Sequence, residues 1–153
     1  MRSAVLDDLT DLLRVYDETR ATEPTAEERQ TWQAMSETDN LRVYCAQMDE
    51  QLVGTASLLV MSNLTYACEP TAFIEAVVVR ERWRRRGIAT AMMKRVLDDA
   101  RAAGCNKVQL LSHKRHADES AHELLRGSRL RSRGRGLPSL PHHRAPRGPE
   151  RSE

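Results

Sequence analysis

Seven consecutive residues, Arg84-Arg85-Arg86-Gly87-Ile88-Ala89-Thr90, set three guanidinium groups beside a glycine and a small residue where a helix should begin. This is chemistry for an anion. No Ser, Thr, Asp or Asn stands at the cap position, so the first backbone N–H groups of that helix are left to point at something else. Unpaired amides at the positive end of a helix dipole suit phosphate best. Gly87 permits close approach of the backbone and angles closed to other residues. Ala89 keeps the approach clear, and the arginines add charge-assisted contacts to phosphate oxygens. For the arginines, Arg85 above all, a solvated surface turn is an equal alternative. It is a weak one for Gly87 and Ala89.

Two further positions carry candidate acid–base groups. Glu75 lies in Phe73-Ile74-Glu75-Ala76-Val77, an apolar run where a carboxylate is out of place. A structural carboxylate with an ion-pair partner would explain it as well as a catalytic one. His113 belongs to Ser112-His113-Lys114-Arg115-His116, after a predicted strand, where ligands of α/β folds collect. It could move a proton, or the basic cluster could receive an acidic group, although a solvated loop is the favoured reading. His113, His116 and His122 lack helical metal-ligand spacing, so no metal is expected. Cys45, Cys68 and Cys105 are odd in number and contain no C-x-x-C pair, which favours buried free thiols over disulfides.

The elements that must position these groups follow from periodicity. Leu6, Leu9, Leu13 and Tyr16 predict an amphipathic first helix from Val5 to about Glu18. Thr25 with Glu28 forms a capping box that opens a second helix carrying Trp32 and Met35. Leu41, Val43 and Cys45 alternate as in a strand, and the Asp49-Glu50 turn leads into Leu52–Met61, giving an antiparallel hairpin. Ser62–Pro70 reads as a loop. Ala72–Arg80 is apolar on both faces, the mark of a central strand. Ile88, Met92, Val96 and Ala100 then line one face of a helix from about Gly87 to Ala103, ended by Gly104. Lys107–Leu111 is a parallel strand after that crossover, and Asp118 opens another helix. The fold class is α/β, a mixed sheet with helices on both faces.

A chain of 153 residues fits one domain with a real core. Neither a signal peptide nor an apolar run long enough for a membrane span is present, which predicts a cytoplasmic protein. The net charge of +2 conceals an asymmetry. Residues 126–153 hold eight arginines and two acids, leaving sixteen basic and twenty acidic residues before them.

The order R-x-x-G-x-A after Val77-Val78-Val79 resembles the signature of the GNAT N-acetyltransferases, and so does the element order, as far as about Glu123. The resemblance implies a GNAT-like, mostly antiparallel central sheet and an acetyl-CoA-dependent transfer of acetyl to a primary amine of a small molecule or peptide. It implies that Val77, Val78 and Val79 hold the pantetheine arm through their backbone at a splayed point of the sheet. Arg84, Arg85, Arg86, Gly87, Ile88, Ala89 and Thr90 would hold the pyrophosphate, Glu75 would be the base acting through water, and His113 a substrate-side residue. Relatives are often dimers.

After Glu123 the resemblance fails. Asp118 stands where the family has asparagine and Ala121 fits, but Leu125 occupies the place of the tyrosine that protonates the coenzyme thiolate, and the last two strands have no counterpart. Leu124-Leu125 can be encoded CTT CTA, which one base later reads phenylalanine-tyrosine. In that frame Ser128-Arg129-Leu130 permits leucine-glycine-phenylalanine, and Leu137–Pro141 permits a strand. The expectation is an incomplete domain over residues 1–125 and an Arg/Pro/Gly-rich, disordered tail over 126–153, translated out of frame. Two other functions fit less well. One is an inactive domain that binds acyl-CoA. The other is a nucleic-acid binder using the tail, which has arginines for a phosphate backbone but no Phe, Trp or Tyr for base stacking.

Overall fold

A computed structural model describes residues 1–110 of the chain. Strand β1 (Arg2–Ser3) leads into helices α1 (Leu9–Tyr16) and α2 (Ala26–Ser36). Strands β2 (Leu41–Met48), β3 (Gln51–Met61) and β4 (Thr71–Val79) follow, then helix α3 (Ile88–Ala102) and strand β5 (Lys107–Leu110). The sheet order is β1-β2-β3-β4-β5, antiparallel from β1 to β4 and parallel between β4 and β5. This is the mostly antiparallel mixed sheet that the sequence predicts. The strands expected to be missing, and the helix from Asp118, lie outside the described residues.

Each element has a local cause. Asp8 accepts hydrogen bonds from both Arg2 guanidinium nitrogens at 2.6 Å and from the Val5 amide at 2.7 Å. These bonds fix a tight 3-10 turn over Leu6–Asp8, so α1 begins later than its apolar spacing predicts. The phase also differs: Leu12 and Val15 are buried, whereas Leu6 and Tyr16 are exposed. The capping box of α2 closes as predicted, with the Glu28 amide on the Thr25 hydroxyl at 3.2 Å and the Thr25 amide on the Glu28 carboxylate at 2.8 Å. Trp32 is buried and donates its indole N–H to the Leu6 carbonyl at 3.0 Å. Asp49 and Glu50 both take left-handed φ, 47° and 63°, the mirror-image turn that matches strand twist. Strand β1 is new relative to the sequence reading, because two residues are too few to show alternation.

Helices cover both faces. One cluster joins Leu12 and Val15 of α1 and Trp32 of α2 to Val43, Cys45 and Leu52, with Val78 packed against it. The other joins Met92, Met93, Val96, Leu97 and Ala100 of α3 to Tyr44, Val53, Ala56, Leu58, Ile74 and Val79. The predicted stripe of α3 is buried at Met92, Val96 and Ala100, and Gly104 ends the helix at φ 74°. Cys45 and Cys105 are buried free thiols, but Cys68 is exposed, since the Tyr66–Cys68 turn in the long loop holds no core.

Candidate active site

Strand β4 is irregular where the candidate residues lie. Thr55 pairs with Val78 and Ser57 with Glu75, so Ala76 and Val77 together oppose the single residue Ala56. This is a β-bulge, and Ala76 absorbs it with φ 52°. A non-glycine residue in that region costs about 1–2 kcal/mol, so the sheet around it must enforce the kink. Tight packing supplies the constraint. A Cβ on Gly54 would lie 3.0 Å from both the Met92 sulfur and the Val78 carbonyl oxygen, so only glycine lets α3 and β4 approach β3 this closely. The described β4–β5 ladder ends at the Ile74–Leu110 pair, and β4 runs on through Val77, Val78 and Val79.

From Val79 the chain makes a 3-10 turn at Glu81–Trp83 and enters the arginine segment. Arg84, Arg85, Arg86 and Gly87 are exposed, with Ile88 and Ala89 half-buried and Thr90 exposed at the start of α3. Gly87 is the N-cap of α3 at φ 78°, with no side-chain cap. Its carbonyl accepts the Ala91 amide at 2.9 Å. The amides of Gly87, Ile88, Ala89 and Thr90 find no acceptor among the described residues. Arg85 also has positive φ, 58°. The three arginines differ in their anchoring. Arg84 donates from Nε to the Val79 carbonyl at 3.0 Å. Arg82 and Arg86 both lie over the ring of buried Trp83, at 5.1 and 5.0 Å, in cation–π contact. Arg85 alone of the three has no such contact, in keeping with a residue that faces water.

Glu75 is exposed rather than enclosed in the apolar run around it, because its side chain leaves the sheet on the face away from α3. Register fixes that face. Ala56 and Ile74 pack with α3, so their neighbours Thr55, Ser57 and Glu75 look toward the α1 side. There Thr55 is fully enclosed and Ser57 nearly so. The Thr55 hydroxyl has no hydrogen-bond partner among the described residues, a condition that costs roughly 1–3 kcal/mol. Above them α1 packs on β3 and β4, and it ends in Tyr16. Burial raises the pKa of the Tyr16 phenol, the Thr55 and Ser57 hydroxyls oppose that shift, and the charges of Cys45 and Glu75 add to it. The phenol oxygen therefore lies near both hydroxyls, without closing a hydrogen bond to either. Sequence reading treats Tyr16 as a core position and passes over Thr55 and Ser57. The available signal was weak: a Thr and a Ser two apart within a strand otherwise apolar.

His113 and the rest of Ser112–His116 lie outside the described residues, as do Leu124, Leu125 and the 126–153 tail. Among the described residues, no group of three or more His, Cys, Asp or Glu side chains could hold a metal ion. No helix there is long and apolar enough to cross a membrane.

A bulged central strand, a left-handed glycine and a helix with free leading amides agree with what the whole-chain comparison finds. The family model described as the acetyltransferase (GNAT) family matches residues 6–127. The chain belongs to that family. A curated glucosamine 6-phosphate N-acetyltransferase of Trypanosoma brucei brucei is 33% identical over 69 residues, 45% of this chain and 47% of the relative. The match thus spans about half the length of that curated protein. A solved structure assigned as an acetyltransferase of Agrobacterium tumefaciens is similar over 92% of this chain and 98% of its own, at 28% identity and TM-score 0.72. An acetyltransferase of Clostridium acetobutylicum, solved with acetyl-CoA, shares the fold over 94% of this chain and 97% of its own, at 20% identity and TM-score 0.64.

Proposed function

We propose that this chain is built as an acetyl-CoA-dependent N-acetyltransferase that acylates a primary amine of a small molecule or peptide. One observation carries the reading: the amides of Gly87 to Thr90 have no partner among the described residues and stand just beyond the end of the bulged strand. Four free donors at a positive helix end are complementary to a diphosphate. Arg84, Arg85 and Arg86 add charge at its edge. Behind them, the backbone of Val77, Val78 and Val79 is the surface for an extended amide-bearing arm, which would bring the thioester to the bulge.

The reaction needs a proton acceptor at the attacking nitrogen, donors for the oxyanion and an acid for the departing thiolate. Glu75, exposed two residues before Val77, is the acceptor, directly or through a water. The nitrogen attacks the thioester carbonyl as its proton passes to the carboxylate, the C–S bond then breaks, and the thiolate takes a proton. His113 is the proposed residue on the substrate side, and the acceptor amine enters from the α1 face. The curated relative's name points to an amino-sugar phosphate among such amines. A homodimer in the cytoplasm completes the proposal.

Residues 1–125 form the domain and 126–153 an out-of-frame tail in this reading, with the frame lost near Glu123. Its support is that the family match stops at residue 127. A chain that lacks the leaving-group tyrosine at Leu125 leaves thiolate protonation to solvent, so turnover is low. The coding DNA decides the frame: any codons other than CTT CTA for Leu124 and Leu125 dispose of it.

The test of the site is calorimetric. Gly87→Val puts a β-branched residue at φ 78° and should weaken acetyl-CoA binding by at least about tenfold, since strain displaces the amides. Unchanged affinity in a folded Gly87→Val protein would overturn the assignment.

A further inference from the structure

Four polar groups converge on the α1 face of the bulge: the Tyr16 phenol, the Thr55 and Ser57 hydroxyls and the Glu75 carboxylate. Ser57 stands directly across from Glu75, and Thr55 across from Val78, so all three strand residues share one face. None of the four has a hydrogen-bond partner among the described residues, and Thr55 is 0% exposed. Buried polar groups are almost always paired, and apolar Val, Ala and Phe would fill the same space without leaving a hydroxyl unmet. An arrangement that keeps hydroxyls unmet is organised for something that arrives later.

The four positions differ in access. Tyr16 is 47% exposed and can meet a ligand, as can Glu75. Thr55 is sealed, and the group close enough to engage it is the Tyr16 phenol. Thr55 therefore acts through Tyr16, fixing the direction in which the phenol presents its proton and lone pair.

We infer that Tyr16, oriented from beneath by Thr55, is an acceptor-binding residue that selects small amines bearing a hydroxyl beside the amino group. The amino group sits at Glu75, and the neighbouring hydroxyl meets the phenol, with Ser57 lining the gap between them. This rests on the acyltransferase reading for the place of the amine. It adds the class of acceptor, an amino alcohol or amino sugar, and a positioning role for a strand residue.

The experiment uses two amines that differ by one hydroxyl, trans-2-aminocyclohexanol and cyclohexylamine. Each is titrated into the full chain by NMR, with and without coenzyme A, so that no turnover is needed. Wild type should bind the amino alcohol about tenfold more tightly, because a site built for a hydroxyl discriminates against its absence. Tyr16→Phe should bring the ratio to about one. Thr55→Val should lower it in part, with the thermal midpoint unchanged or raised, while Thr55→Ser keeps it. A ratio near one in wild type, a ratio that survives Tyr16→Phe, or a Thr55→Val protein that simply melts earlier would overturn the inference. Acetyl-CoA titrated into the same protein separates the two readings. If the coenzyme does not bind while the amine ratio holds, the acyltransferase reading fails and the amino-alcohol site stands.

Discussion

The Nε of Arg84 donates to the carbonyl of Val79 across 3.0 Å, tying the arginine turn to the last residue of β4. Strand and turn are thereby held as one piece, although five residues separate these two along the chain. The guanidinium is otherwise exposed, so its outer nitrogens remain available to an anion. Replacing Arg84 with Ala should weaken acetyl-CoA binding about tenfold, the size of one hydrogen bond to a charged group, and lower stability by about 1 kcal/mol or less. Lys at this position restores charge without the planar fork and should recover only part of the affinity. Calorimetry on the two variants checks both statements. Equal affinity in Arg84→Ala and wild type would remove Arg84 from the site.

Gly54 is the closest point between β3, β4 and α3. A methyl there meets the Met92 sulfur and the Val78 carbonyl oxygen at 3.0 Å each, and only the sulfur can retreat cheaply. Gly54→Ala is therefore expected to destabilise by about 1–3 kcal/mol, the usual cost of overpacking. Urea denaturation should show a lower midpoint with an unchanged slope. A neutral outcome would mean that β4 can shift outward freely, which would undercut the account of the bulge.

Much of this fold is legible in the sequence because its signals are local. The Thr25–Glu28 capping box, the Met92-Val96-Ala100 stripe and Gly104 each act within a turn or two of the chain. The helix-end turn at Gly87 is legible for the same reason, since an uncapped helix start after an apolar strand is visible in the letters. The α1 boundary was not, because Asp8 answers to Arg2 through a salt bridge and pulls the first turn tight. The bulge at Ala76 was not legible either: alanine gives no hint of left-handed φ, which the neighbouring strands impose. The Tyr16–Thr55–Ser57–Glu75 cluster escaped because its members come from three elements and meet only through register.

Acid should loosen the connection between α1 and α2. Glu28 accepts from both Arg20 nitrogens at 2.7 and 2.8 Å and from the Thr25 amide, and its pKa is held down to about 2, chiefly by Arg20. A carboxylate depressed in the folded state stabilises above its unfolded pKa and loses that contribution as pH falls through the folded one. The window thus runs from about 4.5 down to about 2. Thermal midpoints should fall over that window in wild type and less steeply in Glu28→Gln, which also starts lower at neutral pH. The site is solvent-facing, so high salt should shrink the difference. Parallel acid curves for the two proteins would show that the pair contributes nothing.

Ala76 offers a test of whether the bulge is imposed or merely tolerated. At φ 52° it occupies backbone space that suits glycine and excludes β-branched residues. Ala76→Gly relieves that strain but adds freedom to the unfolded chain, terms of about 1 kcal/mol each, so its stability should stay within about 1 kcal/mol of wild type. Ala76→Val has no such relief and should cost more than about 1 kcal/mol, or flatten the bulge. Flattening would slip the register past Thr55–Val78 and send Glu75 to the α3 side, since a one-residue shift exchanges the faces of a strand. Denaturation of the two variants, with acetyl-CoA titrations alongside, separates these cases. Valine as stable as glycine, with coenzyme affinity intact, would mean that the strand does not need its kink.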